Sequence, residues 1–210
     1  MAELYIIAGS NGAGKSTIGP TYLPYINGSQ MEVFDGDKLF IDTQKRLWSE
    51  GIRAHKEAKK IAFQFVTDTF DKLVEDAINE HKTFAYEGHF TNDATWQVPL
   101  RFKRAGYRLH LFFMGLNNPN LSELRVLGRV NLSGGHYVSP GTIRDNFYGN
   151  LEKLNKYFTI FDNITIFDTS ETEHVVLTAI ANGYLQFSVN KHELPNWYIE
   201  HLPELVSLIE

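Results

Sequence analysis

The eight residues Gly9-Ser10-Asn11-Gly12-Ala13-Gly14-Lys15-Ser16 constrain this chain more than any other stretch. They satisfy G-x-x-x-x-G-K-[ST], a loop that follows a buried strand and opens a helix. The flanks agree with that context. Leu4-Tyr5-Ile6-Ile7-Ala8 is a short apolar run rich in strand formers, as a central parallel strand requires, and Thr17-Ile18 continues into a short helix. Gly9, Gly12 and Gly14 let successive N–H groups converge on phosphate oxygens, with Ser10, Asn11, Ala13 and Thr17 completing the cradle at the positive end of the helix. Lys15 reaches the outer phosphates of a nucleotide, and the Ser16 hydroxyl is placed to ligate Mg²⁺.

The 210 residues suit one domain, residues 1–210, and nothing in them looks like a linker, a repeat or a low-complexity tract. Without cysteine there is no disulfide framework and no thiol nucleophile or Cys-based metal site, which fits a reducing compartment. The apolar run at the N-terminus is too short for a signal-peptide core, and no stretch is long enough to span a bilayer, so a cytoplasmic protein that engages no membrane is expected. A net charge of −5 provides no overall field for nucleic acid, and no nucleic-acid partner is expected. The densest basic spot, Arg101, Lys103, Arg104 and Arg108, reads as a solvated face.

Strand and helix signals alternate along the chain. Met31–Phe34 reads as a second strand ending at Asp35-Gly36-Asp37, followed by a polar helix through Trp48. From His55 to about Glu80, apolar residues at three-and-four spacing give a long amphipathic helix whose phenylalanines belong to the core. Strands at 83–87, 108–114 and 164–167 alternate with helices at 93–105, 121–130 and 142–157. A hairpin turned at Asn182-Gly183 and a helix from Pro195 complete the chain. This rhythm predicts an α/β fold with a mostly parallel sheet flanked by helices, and a C-terminal hairpin plus helix.

In such sheets the ligand sits beyond the carboxyl ends of the strands, so the polar residues ending each apolar run are candidates. Asp35, Asp37, Glu87 and Asp168 qualify. Asp37 serves equally well as a helix cap or as a catalytic carboxylate. Glu87 is a metal-region carboxylate, a substrate contact or a buried acid paired with Lys15. Arg125 and Arg129 share one helical face at i and i+4, and Arg144 follows the Gly134-Gly135 turn that carries His136. Arginines delivered by a closing segment stabilise charge in phosphoryl transfer, whereas surface pairing with acids is the alternative.

The loop, the carboxylate at Asp37, Phe84-Ala85-Tyr86-Glu87 and the Arg125…Arg129…Gly134-Gly135-His136 segment together resemble the zeta-toxin-like P-loop kinases. The likeness runs from the first strand to about Asp168. It implies a P-loop NTPase fold with an arginine-bearing helical lid. The implied activity is transfer of a phosphate from ATP or GTP with Mg²⁺ to a sugar hydroxyl, as relatives do on the 3′-hydroxyl of UDP-N-acetylglucosamine. It further implies Asp37 as general base, Glu87 in the substrate and metal region, and Arg129 with Arg125 and Arg144 as lid cations; His136 in the turn reads either as a substrate contact or as an exposed imidazole without a role. Three departures stand out: Asn146 follows Arg144-Asp145 where relatives carry consecutive arginines, Asp35-Gly36-Asp37 replaces Asn-Ala-Asp, and Asp168-Thr169-Ser170 replaces Asp-Asn-Ser. An antitoxin partner is compatible with the resemblance but is not readable in this chain. A nucleotide hydrolase and a non-catalytic nucleotide-binding module are the rival readings. No Asn-Lys-x-Asp base-reading motif and no Ser-Gly-Gly-Gln signature is present.

Overall fold

The computed structural model describes residues 1–26, 28–133 and 138–209, the side chains of 131–133 excepted. The first apolar run becomes β1 (Glu3–Gly9), with Leu4, Ile6, Ile7 and Ala8 all at 0% exposure, which is why it reads as continuous rather than alternating. The loop then opens α1 (Lys15–Ile18), a single turn halted by Gly19-Pro20. A two-residue ribbon, β2 (Tyr25–Ile26) with β3 (Ser29–Gln30), precedes α2 (Gly36–Ser49) and α3 (His55–Asn79). Alternation resumes with β4 (Phe84–Gly88), α4 (Gln97–Arg104), β5 (Arg108–Gly115), α5 (Pro119–Ser133), α6 (Pro140–Tyr157) and β6 (Asn163–Asp168). The hairpin β7 (Val175–Ala181) and β8 (Tyr184–Ser188) and the short helices α7 (Asn196–His201) and α8 (Pro203–Val206) close the chain.

One six-stranded sheet carries the order β4-β1-β5-β6-β7-β8. β4, β1, β5 and β6 are parallel, while β7 and β8 run antiparallel. The hairpin turns where expected, with Asn182 and Gly183 both at positive φ. The main core joins the sheet to Trp96, Phe102, Trp197 and Tyr198, all at 2% exposure or less. No helix among the described residues is long and apolar enough to cross a membrane.

Three local expectations are corrected. Met31–Phe34 is not a strand: only Phe34 bridges β4, donating to Ala85 O at 2.9 Å and accepting from Glu87 N at 2.9 Å. The next residue, Asp35, already caps α2 through its carboxylate on Lys38 N at 3.0 Å, so pairing cannot continue beyond Phe34. The phenylalanines of α3 are not all core. Phe70 packs on Phe34, Phe84 and Tyr86, but Phe63 is 67% and Phe65 40% exposed. The first half of α3 packs mainly on α2, over a small satellite core of Leu47, Ala58 and Ala62, so its apolar stripe is wider than the surface that buries it. Finally, the helix expected from Pro195 is two short pieces broken at Leu202-Pro203. The basic spot behaves as a solvated face: Arg101 pairs with Glu75 and Lys103 with Asp162.

Candidate active site

The end of β1 fixes the loop by contact as much as by conformation. Gly9 has φ +142°, and a Cβ there would lie 2.3 Å from Met114 O on β5, so no side chain fits. Gly14 stands at the N-cap of α1 in the left-handed region. Neighbouring side chains then hold the loop's outward carbonyls. Ser122 Oγ donates to Asn11 O, Thr169 Oγ1 to Ala13 O at 2.9 Å, and Arg125 Nη1 to Gly12 O at 3.4 Å. These bonds hold the loop in shape at three successive residues.

A cleft of about 490 Å³ opens above the loop. Asn11 through Thr17 form its floor, and Asp35, Asp37, Glu87, Arg125 and Arg129 stand around it. Lys15 Nζ donates to Gly9 O and Ser10 O, both at 3.1 Å. Burial lowers the Lys15 pKa, Glu87 and Asp37 oppose that shift, and the Arg129 charge adds to it. Lys15 is therefore folded back on its own loop rather than hydrogen-bonded to Glu87. Glu87 instead accepts from Ser16 Oγ at 3.0 Å. Burial pushes its carboxyl up to about 7, the Asp35 charge adds to that, and Lys15 and the Ser16 hydrogen bond work against it.

Asp37 lies in the first turn of α2, where the helix N-terminus favours a carboxylate, and it lines the cleft without being the cap. Asp35 takes the cap instead, so the capping and cleft-lining roles fall on different residues. Arg125 lines the cleft, but its guanidinium is spent on backbone: Nη1 donates to Thr169 O and Nη2 to Ser170 O, each at 2.7 Å. Arg144 is not brought to the cleft. It turns instead to Glu123 at 3.1 Å and Asn120 at 3.3 Å on the neighbouring helix. His136 lies outside the described residues. Asp168 accepts from Ser170 N and Oγ and so shapes the turn after β6.

Two features escaped the sequence reading. Lys38, Asp42 and Lys45 recur at i, i+4 and i+7 on α2 and add alternating charge to the cleft wall. That spacing was a legible signal. Beyond Glu87 there is also a second pocket of about 260 Å³, walled by Phe34, Phe70, Tyr86 and Phe90. Tyr86 and His89 are among its wall residues, and their OH and Nδ1 atoms are sealed from solvent and without hydrogen-bond partners among the described residues. Burial and the Lys15 charge hold the His89 imidazole well below the usual histidine range, against a backbone hydrogen bond at Gly9. No sequence spacing announces this pocket, because its walls come from Phe34 ahead of α2, from α3, from β4 and from the segment leading into α4.

No group of three or more His, Asp or Glu side chains among the described residues is placed to hold a metal ion. Mg²⁺ at such loops takes one or two protein oxygens and completes its shell with phosphate and water, and the hard oxygens of Ser16 and Glu87, 3.0 Å apart, fit that mode.

The fold and cleft define an α/β P-loop protein built to hold nucleotide phosphates. A model of the zeta toxin family matches residues 2–179, and the chain belongs to that family. Among solved structures, it is similar to one from the PezAT chromosomal toxin–antitoxin system of Streptococcus pneumoniae, at 21% identity over 80% of this chain and 68% of that one, TM-score 0.57. It is also similar to the AvrRxo1-ORF1:-ORF2 complex with ATP, at 14% identity over 96% of this chain and 64% of the other, TM-score 0.71. At these identities the likeness bears on the fold alone, and the chain spans about two thirds of these neighbours' length. No curated protein matches. Family and fold together support a nucleotide-binding phosphotransferase of the P-loop kinase type.

Proposed function

We propose that this chain transfers the γ-phosphoryl group of ATP or GTP to a hydroxyl of a small-molecule acceptor, a sugar or nucleotide sugar such as UDP-N-acetylglucosamine. The observation that carries the reading is convergence. The phosphate loop, Lys15, Asp37, Glu87 and Arg129 come from four separate elements and line one cleft. In the reaction, Lys15 leaves the Gly9 and Ser10 carbonyls and turns onto the phosphates. Arg129, on the lid helix, offsets charge on the transferred group. Asp37 orients the acceptor hydroxyl and takes its proton as oxygen bonds to phosphorus. Ser16 and Glu87 would hold Mg²⁺, which would supply charge neutralisation on the phosphates when bound. The remainder of the acceptor occupies the aromatic-walled pocket between Phe34, Phe70 and Phe90. The whole chain acts as a single kinase domain, and an antitoxin is the protein partner proposed from the family.

The test is Asp37→Asn, assayed with a panel of sugars, nucleosides and nucleotide sugars and with product mass read directly. Transfer should fall by about 10² to 10⁴, as for loss of a general base, with nucleotide affinity near wild type. Near-normal transfer by Asp37→Asn with collapse in Glu87→Gln would move the base to Glu87. Ready attack on water with every acceptor refused would replace the kinase by a hydrolase.

A further inference from the structure

Asn146 stands on α6 where the family resemblance implies a second lid arginine, yet it carries no charge to offer a phosphate. Its side chain reaches the loop instead, and Nδ2 donates to Asn11 Oδ1 at 2.7 Å. Asn11 is only 5% exposed and lines the cleft. Its backbone carbonyl is already held by Ser122 Oγ. Asn146 is itself braced: Asn150, at 1% exposure, donates from Nδ2 to Asn146 O at 2.5 Å and accepts from Phe90 N at 2.8 Å.

A carboxamide whose oxygen is engaged on one side presents its amino group on the other. Asn11 Nδ2 has no hydrogen-bond partner among the described residues. We infer that Asn146 is a positioning residue: by holding Asn11 Oδ1 it turns the Asn11 amino group toward the bound nucleotide's phosphates, adding a side-chain donor to the loop's backbone donors. The uncharged position 146 thus serves phosphate binding through Asn11 rather than by direct contact. This rests on the nucleotide-binding reading above but requires nothing of the acceptor.

A double-mutant cycle on the full chain tests it, with a non-hydrolysable ATP analogue and Mg²⁺ titrated by calorimetry and the melting temperature taken for every variant. Asn11→Ala removes the donor and should weaken binding about tenfold or more, as for a hydrogen bond to a charged group. Asn146→Ala should weaken it about three- to tenfold. In the double variant the Asn146 change should add less than about twofold, because its effect passes through Asn11. Asn146→Leu keeps the branched shape but loses the donor and adds no charge near the phosphates, so it should bind as weakly as Asn146→Ala. A merely space-filling role would leave that variant near wild type. Additive losses, or an affinity loss confined to variants with lowered melting temperature, overturn the inference while leaving nucleotide binding intact. A wild-type chain that binds no analogue overturns the functional reading and this inference with it.

Discussion

Replacing Glu87 by Gln should make the nucleotide-free protein more stable at high pH and no more stable at low pH. Glu87 is half-buried in the cleft beside Asp35, and its carboxyl is raised from the ordinary 4.5 to about 7. The folded protein therefore holds this proton more tightly than the unfolded chain does. Its stability is complete below 4.5 and falls as pH rises through about 7. A displacement of that size corresponds to an upper figure of about 3 kcal/mol, and the partial screening of a cleft residue brings it to about 2 kcal/mol. Gln keeps an oxygen for the Ser16 hydroxyl and cannot ionise. At pH 4, below the ordinary carboxyl value, the two proteins should melt together. At pH 8.5 the variant should melt higher by about 4 to 8 °C, given about 2 to 4 °C per kcal/mol for a chain of this size. Thermal unfolding between these limits, with a chelator present and no nucleotide, measures it. Mg²⁺-nucleotide binding should move the opposite way, weaker in the variant, because the charge that costs the empty fold is the one the ion uses. A melting difference that stays constant with pH would refute the burial argument for Glu87.

The remaining expectations concern the cations and one close contact. Lys15→Ala should weaken nucleotide binding by roughly 1.5 to 3 kcal/mol in calorimetry, as for a lost charge-assisted contact. The three arginines should separate in a joint assay of transfer rate and melting. Arg129→Ala should slow transfer at nearly unchanged melting. Arg125→Ala should lower stability by about 1 to 3 kcal/mol, since the Thr169 and Ser170 carbonyls lose their donors. Arg144→Ala, at an exposed pair, should stay within about 0.5 kcal/mol of wild type and leave transfer unchanged. Gly115→Ala should destabilise strongly in denaturant melts, because its Cβ would lie 2.1 Å from the buried Trp197 ring.

What could be read from the sequence divides along a physical line. The loop, β1 and the alternating helices and strands were legible because their signals are local: a fixed glycine spacing, a run of apolar residues, a three-and-four period. The strand expected at Met31–Phe34 failed because a strand is a relation between two segments, and of its residues only Phe34 is bridged to β4. The arginines show the same divide at the site. Three guanidiniums on the lid looked interchangeable as charges, but their fates were decided by the nearest acceptor. Arg144 found Glu123, Arg125 found two carbonyls after β6, and Arg129 lines the cleft near Lys15. Asn146 inverts the lesson. As a sequence it reads as a missing charge, and in the fold it is a made hydrogen bond to the loop. A cation acts through a field and tolerates imprecise placement, whereas an amide works only through direct contact and good alignment. If an amide does serve phosphate binding here, it can do so only because Ser122, Thr169, Arg125 and Asn150 hold the loop and lid in register, and that bracing from β6, α5 and α6 is what no local pattern could announce.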